Sequence, residues 1–441
     1  MSFARYPEYK DSGVEWLGQV PEHWGVGSAR WLTRRYSGGT PDKTNLSFWE
    51  DGTIPWLNSG AVNDGLITEP STYITAEAFA NSSAKWIPEG ALVMALAGQG
   101  KTKGMVAQLG ITSTCNQSMA AIIPSTAINS RFLYWWLESN YQNIRNMAGG
   151  DLRDGLNLEL LGNIQCPLPL CGEQTQIAAF LDRETAKIDG LVAEQRRLMV
   201  LLKEKRQAVI SHAVTRGLNP DAPMKPSGIE WLGDVPAHWE VGPLKRFWSV
   251  TDCKHVTAEF VDDGIPLASI REVQSRWVAL ENAKCTTEHF YELLIEGGRQ
   301  PVPGDLIFSR NATVGEVAQV NADHPRFAMG QDVVLLRKLS QNYSSDYLQH
   351  VIRSPIIILQ LANMMIGSTF KRINVEEIRS FAMPSPPALE QAEIADFLEG
   401  EIREFDALTT ETQRAIDLLQ ERRTALISAA VTGQIDVREL A

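Results

Sequence analysis

The sequence predicts an α+β protein: two mixed α/β domains in tandem repeat, separated by two long antiparallel coiled-coil helices with pseudo-two-fold symmetry. Three observations carry this. Ser12 to Trp24 reads SGVEWLGQVPEHW and Ser227 to Trp239 reads SGIEWLGDVPAHW, differing at three positions, a density that only internal duplication explains. Glu173 to Arg216 and Glu390 to Gly433 are Pro-free stretches rich in Ala, Leu, Glu, Arg and Gln, residues that lose little entropy in a helix. Between each lead-in and the long stretch after it lie about 150 residues of short apolar runs broken by Gly, Asn, Asp and Pro, a mixed, β-leaning pattern.

The lead-in, with its Trp, Leu, Val and Pro content, reads as a packed segment that anchors the strand after it. Landmarks then recur in both copies: Gly90 with Gly304 and Gln117 with Gln331 before strands, Gly150 with Gly367, and Asn157 with Asn374. Between landmarks the copies diverge, as expected of one frame carrying two different recognition surfaces. The stretches from Arg131 (RFLYWWLESNYQNIRNM) and Ser345 (SDYLQHVIRSPIIILQLANMM) read as helices whose aromatic and aliphatic stripes are core.

The long stretches keep a seven-residue beat. In the first, Leu181, Ile188, Gln195, Leu202 and Val209 form one row, with Ile177, Glu184, Leu191, Leu198 and Lys205 beside it. The second repeats this with Leu398, Phe405, Thr412, Leu419 and Leu426 beside Ile394, Glu401, Leu408, Ala415 and Arg422. So narrow a seam asks for another long helix, and the chain supplies its own. Antiparallel packing about a pseudo-two-fold axis gives each pairing nearly the same total of residue numbers: 184 with 422 and 401 with 205 both give 606, and 195 with 412 gives 607. That register pairs Glu184 with Arg422 and Glu401 with Lys205, with Gln195 opposite Thr412 at the middle. The boundaries expected are 1–170 for the first domain, 171–217 for the first long helix, 218–226 for a hinge, 227–387 for the second domain, 388–435 for the second long helix and 436–441 for a tail.

At 441 residues, an even split gives two units of ordinary size. The net charge of −12 and pI near 5.2 argue against a protein that coats nucleic acid indiscriminately, while leaving room for a local basic face. Five cysteines without CxxC spacing suit a reducing compartment and disfavour a zinc site. Charges at Arg5, Glu8, Lys10 and Asp11 interrupt any secretory core, and the run from Pro355 is too short to span a bilayer. A soluble, cytoplasmic protein without a membrane partner is expected.

Ala95 to Thr102, ALAGQGKT, fits a relaxed phosphate-loop pattern, but Lys103 to Leu109 is strand-like where such a loop needs a helix. No GxSxG, HExxH or dinucleotide fingerprint occurs, nor an NPPY-like tetrapeptide of adenine methyltransferases. The chain is expected to be no enzyme and to need neither metal nor cofactor. Basic and amide residues recur in comparable places: Arg30, Arg34, Arg35 and Lys43 after the first lead-in, Lys245 and Arg246 after the second, and Arg153 parallel to Lys371 and Arg372. Arg and Lys neutralise phosphates or read guanine, and Asn and Gln read adenine. The DNA-contact candidates are Arg30, Arg34, Lys43, Asn58, Lys101, Lys103, Arg153, Arg271, Arg310, Lys371 and Arg372.

The lead-ins, the helix starts GEQTQIAAFLD and LEQAEIADFLE, and the helix ends KRQAVISHAVTRG and RRTALISAAVTG resemble the specificity subunit of type I restriction-modification systems, over nearly the whole chain. The resemblance implies that each variable region is a target recognition domain reading one half of a split, asymmetric site in double-stranded DNA. It implies helices that space the domains like a ruler, on the order of 50 Å long, for half-sites roughly a helical turn, about 34 Å, apart. It also implies two docked modification subunits that use S-adenosylmethionine to methylate adenine, and two restriction subunits that can join and use ATP. Two rival readings stand beside it: a scaffold whose domains hold two protein partners, and a nucleotide-binding enzyme using Lys101.

Overall fold

The computed structural model describes residues 3–98, 101–147, 155–364 and 372–438. Two compact units compose it, residues 1–195 with 414–441 and residues 196–413, so each holds part of both long helices. These helices run Cys171–Arg216 and Ala388–Val431.

In the first unit, β1 (Thr33–Ser37), β2 (Leu66–Ile67), β3 (Leu92–Ala95), β4 (Val106–Leu109) and β5 (Met119–Pro124) form a sheet in the order β1-β5-β3-β4-β2. In the second, β6 (Trp248–Asp252), β7 (Leu306–Ser309), β8 (Val317–Gln319) and β9 (Val333–Lys338) repeat it as β6-β9-β7-β8. The pairings correspond: Met119 lies opposite Ala95 in one ladder and Val333 opposite Ser309 in the other, both antiparallel. All four residues of β3 and all four of β7 are buried, which is why those strands read as continuous apolar runs. Val93, Ala95, Ala107, Met119 and Ala121 centre one core, and Leu306, Phe308, Val334 and Leu336 belong to a core of the other.

The helix expected from Arg131 divides into Ser130–Ser139 and Tyr141–Asn146, meeting at Asn140. The stretch from Ser345 likewise divides into Ser345–Ile352 and Pro355–Met364. The second break is set by Pro355, which has no N–H for the preceding turn but suits a first helical position. Both stretches point their aromatic and aliphatic side chains inward, Phe132 to Leu137 in one and Tyr347, Leu348, Val351 and Ile352 in the other.

Each lead-in folds the same way. Ser12 N donates to Gly18 O at 2.9 Å and Ser227 N to Gly233 O at 3.0 Å, with Gly18 and Gly233 at φ of 66° and 67°, a conformation side chains resist. Trp24 and Trp239 are fully buried. Each lead-in grips the start of one long helix and the end of the other. His23 Nε2 lies 3.0 Å from Glu173 Oε2, and His238 Nε2 lies 2.7 Å from Glu390 Oε2, placing a carboxylate at each helix start, where the backbone dipole favours it. At the ends, Gly217 and Gly433 turn at φ of 74° and 72°, and a Cβ there would come within 3.2 Å of the Trp239 ring and 3.1 Å of the Trp24 ring respectively.

The long helices pack antiparallel. In the second unit Arg206 meets Asp406 at 2.6 Å while Ile210, Ala213 and Val214 share a core with Ile394, Ala395 and Leu398. In the first unit Arg423 meets Asp189 at 2.9 Å. The two ion pairs are counterparts with the helices exchanged, as duplication requires, but 189 with 423 and 206 with 406 both total 612. The expected register is therefore wrong by six residues, a slide of about 9 Å. Glu184 pairs within its own helix, with Lys187 at 2.8 Å and Arg183 at 3.1 Å. Lys205 and Arg422 are exposed, and among the described residues ion pairs that cross between the long helices are made by their neighbours Arg206 and Arg423 instead. Gln195 is half-buried, and Thr412, buried, donates to Leu408 O on its own helix at 2.7 Å.

The cause is the second heptad row, which lies one position further on than the leucines suggest. Thr185 and Val192 are buried, and on the second helix Ala395, Ile416 and Ala430 are buried, whereas Leu191, Leu198 and Leu408 are 53%, 41% and 51% exposed. The inner row is thus Ala178, Thr185, Val192, Met199, Arg206 and Ala213, and it carries the arginine that pairs. No helix among the described residues is long and apolar enough to cross a membrane.

Candidate nucleic-acid interface

Three loops meet at one end of each sheet, held by backbone bonds that repeat between units. Leu96 N donates to Ser118 O at 2.8 Å and Leu156 N to Leu96 O at 2.8 Å; in the second unit Arg310 N donates to Asp332 O and Ile373 N to Arg310 O, both at 3.0 Å. The third loop in each unit enters a short helix capped by an Asn: Asn157 Oδ1 accepts from Leu160 N and Asn374 Oδ1 from Glu377 N, both at 2.9 Å. An identical hydrogen-bonded frame therefore presents loops of unlike sequence.

In the second unit Arg372, 52% exposed, lies 3.3 Å from Asp332, which also accepts from Asn311 Nδ2 at 3.1 Å. Ala312 and Asp332 hold φ of 55° and 64°, a left-handed conformation that costs energy in non-glycine residues and gathers in functional loops. Arg372 is presented on a fixed carboxylate, with most of its guanidinium donors left for a ligand. In the first unit Lys101 is exposed on a turn whose carbonyl accepts from Tyr141 OH at 2.6 Å. The strands on either side, β3 and β4, pair antiparallel, so the described residues after Lys101 lead into a strand and not into the helix N-terminus that a phosphate loop uses.

The remaining candidates fall into three groups. Arg30 (bonded to Asn163 Oδ1 at 3.0 Å), Arg34, Lys43, Asn58 and Arg271 are exposed. Asn58 spends its Oδ1 on Gly60 N at 2.8 Å, keeping its amide N–H groups for another partner. Lys103 and Arg310 are corrections, being only 4% and 5% exposed. Arg310 turns inward to Asp252 at 3.4 Å, because its strand-end position aims the side chain at the sheet's own acid. Lys103 is buried in the β3–β4 turn beneath Arg145, which donates to its carbonyl at 3.3 Å. Arg153 and Lys371 lie outside the described residues. Arg35, beside Arg30 in sequence, is structural: its Nη1 donates to Thr33 O at 3.0 Å and Thr33 Oγ1 at 2.7 Å, and burial lowers its pKa. Asp332 and Asn311, which position Arg372, escaped sequence reading. An Asp gives no signal for DNA contact until its arginine is known.

Burial pushes the Cys115 and Cys166 thiols up to about 12, leaving them unreactive. Among the described residues no group of three or more His, Cys, Asp and Glu could hold a metal ion.

A frame built twice around divergent loops has a match among known families. The model of the type I restriction modification DNA specificity domain matches residues 35–196 and 287–418. The chain belongs to this family. It is similar to the type I restriction enzyme EcoKI specificity subunit of Escherichia coli strain K12, with 21% identity covering 95% of this chain and 90% of that one. The MjaIX specificity subunit of Methanocaldococcus jannaschii is 20% identical, covering 100% and 99%. The EcoR124I/EcoR124II specificity subunit of Escherichia coli is 30% identical, but over 40% of this chain and 42% of that subunit. The fold is shared with the HsdS subunit from Thermoanaerobacter tengcongensis, at a TM-score of 0.57, 15% identity and coverage of 94% and 98%. It is also shared with a chain from a structure of complex assembly and conformational transition in the type I R-M system, at a TM-score of 0.70, 16% identity and coverage of 93% and 98%. The family's specificity subunits are non-catalytic and carry no cofactor; S-adenosylmethionine and ATP are used by the modification and restriction subunits.

Proposed function

We propose that this DNA specificity subunit reads a two-part asymmetric site in double-stranded DNA, with residues 1–170 reading one half and residues 227–387 the other. The observation that carries this is the repeated backbone frame, Leu96–Ser118–Leu156 against Arg310–Asp332–Ile373, which presents unlike side chains at matching places. Lys101 and Arg372 are the foremost exposed cations of the two faces, with Arg30, Arg34, Lys43, Asn58 and Arg271 beside them. Arg153 and Lys371 stay candidates on their sequence position.

Two modification subunits dock on the long helices, and two restriction subunits can join them. What supports a paired partner is that the apolar surface of the helices is itself duplicated: Leu191 and Leu408 are 53% and 51% exposed, Leu201 and Leu418 are 51% and 55% exposed, and each pair is separated by the same 217 positions. Solvent-facing leucines at repeated positions are what a twice-bound partner needs. Acting on DNA beside these partners, the subunit works in the cytoplasm, and its helices set the gap between the half-sites.

The rival scaffold reading gains from the acidic charge but predicts no salt-sensitive, sequence-dependent DNA binding. Expression with its modification subunit in a methylation-free host, with mapping of the modified adenines, tests the proposal. A two-part motif with a fixed gap is expected. A continuous motif, or no methylation beside a well-folded complex, would refute it.

A further inference from the structure

One exposed side-chain pair recurs where almost everything around it has changed. Thr40 Oγ1 bonds Gln117 Oε1 in the first unit, and Gln331 Nε2 bonds Thr257 Oγ1 at 3.3 Å in the second. Thr40 follows the end of β1 (Ser37) by three residues and Thr257 follows the end of the equivalent β6 (Asp252) by five, so the second loop takes two more residues and still brings a threonine to the glutamine. Gln117 and Gln331 each stand two residues before the equivalent strands β5 and β9. Between strand and threonine, Gly38 and Gly39 give way to Cys253, Lys254, His255 and Val256. Around the glutamines, Asn116 and Ser118 become Gly330 and Asp332.

Loop packing does not account for the pair. In the first unit the two loops are already tied by Gly39 N to Cys115 O at 2.9 Å and Gly38 N to Met119 O at 3.3 Å. Both glutamines are exposed, and a hydrogen bond in water adds little to such ties. The threonine instead restrains a long side chain, leaving the amide at least one N–H for a ligand. The glutamines adjoin the loop residues Ser118 and Asp332, whose carbonyls hold Leu96 and Arg310. They thus sit within the face assigned to DNA.

Two domains that read different half-sites share one ligand feature whatever the bases are, namely the sugar–phosphate backbone. We infer that Gln117 and Gln331 each donate an amide N–H to a DNA phosphate, with Thr40 and Thr257 as positioning residues, so that both domains are seated in the same way on unlike sequences. This rests on the DNA reading proposed for the subunit and adds to it a contact that positions without specifying.

The test uses the complex of the full chain with its modification subunits, titrated with a cognate and a non-cognate duplex over a salt series. Gln117→Ala and Gln331→Ala should each weaken binding to both duplexes about tenfold, the loss expected for a hydrogen bond to a charged group, with the methylated motif and the melting temperature unchanged. Because the amide is neutral and releases no counterion, the salt slope should stay as it was, unlike the change of about one expected for a lost lysine contact. Thr40→Val should reproduce the loss and Thr40→Ser restore binding. Relaxation of a single base in the motif, unchanged affinity in both glutamine variants, or a lowered melting temperature beside the loss would each overturn the inference. If the unmutated complex binds no DNA in a salt-sensitive, sequence-dependent way, it is the DNA reading that fails.

Discussion

The two units share a skeleton to the level of single hydrogen bonds and differ at positions that a skeleton does not need. Gln174 and Gln391 show the sharing: Oε1 accepts from Asn129 N at 2.6 Å or Ser344 N at 2.8 Å, and Nε2 donates to Pro169 O at 2.9 Å or Pro386 O at 2.8 Å. Trp135 and His350 show the difference. They hold the same place in equivalent helices, yet Trp135 donates to Asp182 at 2.9 Å, while His350 lies among Arg276, Arg353, Arg206 and Glu399. Duplication therefore preserved what fixes the backbone and released the rest. Equal mutations in the two units should give equal effects only where the skeleton is touched.

The largest effect expected is in the lead-ins. Trp24→Ala and Trp239→Ala each remove a fully buried indole and should each cost about 3–5 kcal/mol, measured by denaturant unfolding. A cost in one unit more than twice that in the other would break the equivalence of the lead-ins.

A pH effect of histidine should come from the second unit. Burial, with Arg276 and Arg353 adding repulsion, lowers the pKa of His350 from 6.5 to about 4. The unfolded chain thus binds the proton that the folded one refuses, so the contribution is complete above pH 6.5 and is lost as pH falls toward 4, up to about 3 kcal/mol. His350→Gln should flatten the pH dependence of stability in that window. An unchanged profile would mean that His350 is protonated in the fold.

Smaller changes concern the faces proposed to meet DNA. Lys101→Ala and Arg372→Ala should each weaken binding and flatten the salt slope by about one if they meet phosphates, or relax one motif position at about 1–3 kcal/mol if they meet bases. Unaltered affinity and slope in both variants would displace the face from these loops. Smallest of all, Arg206→Met, which breaks a partly exposed pair with Asp406, should cost at most about 1 kcal/mol. Arg423→Met should cost more, since Arg423 holds both Asp189 and Glu138 at 2.9 Å. Equal costs would mean that Glu138 contributes nothing.

The duplication, the α+β class and the long antiparallel helices were legible because they rest on spacing, which a sequence records directly. Two matters were not. Leu191, Leu198 and Leu408 read as seam, since periodicity treats every leucine as buried; the structure turns them outward, and only the burial of Thr185 and Val192 identifies the true inner row. Sequence cannot tell a helix's inner seam from an apolar face kept for a partner. Likewise Lys103 and Arg310 carry the charge a DNA contact needs, but their direction depends on strand ends that spacing does not resolve. Arg372 was named for its charge and its place beside the landmark Gly367, and the structure leaves it exposed against Asp332.

One frame, used twice, is proposed to read two different DNA half-sites independently. Exchanging residues 25–150 for the matching region of another family member, and mapping methylated adenines made by the resulting complex, tests it most directly. The account predicts a motif changed in one half only, with the other half and the gap kept. A motif changed in both halves, or in neither, would contradict it.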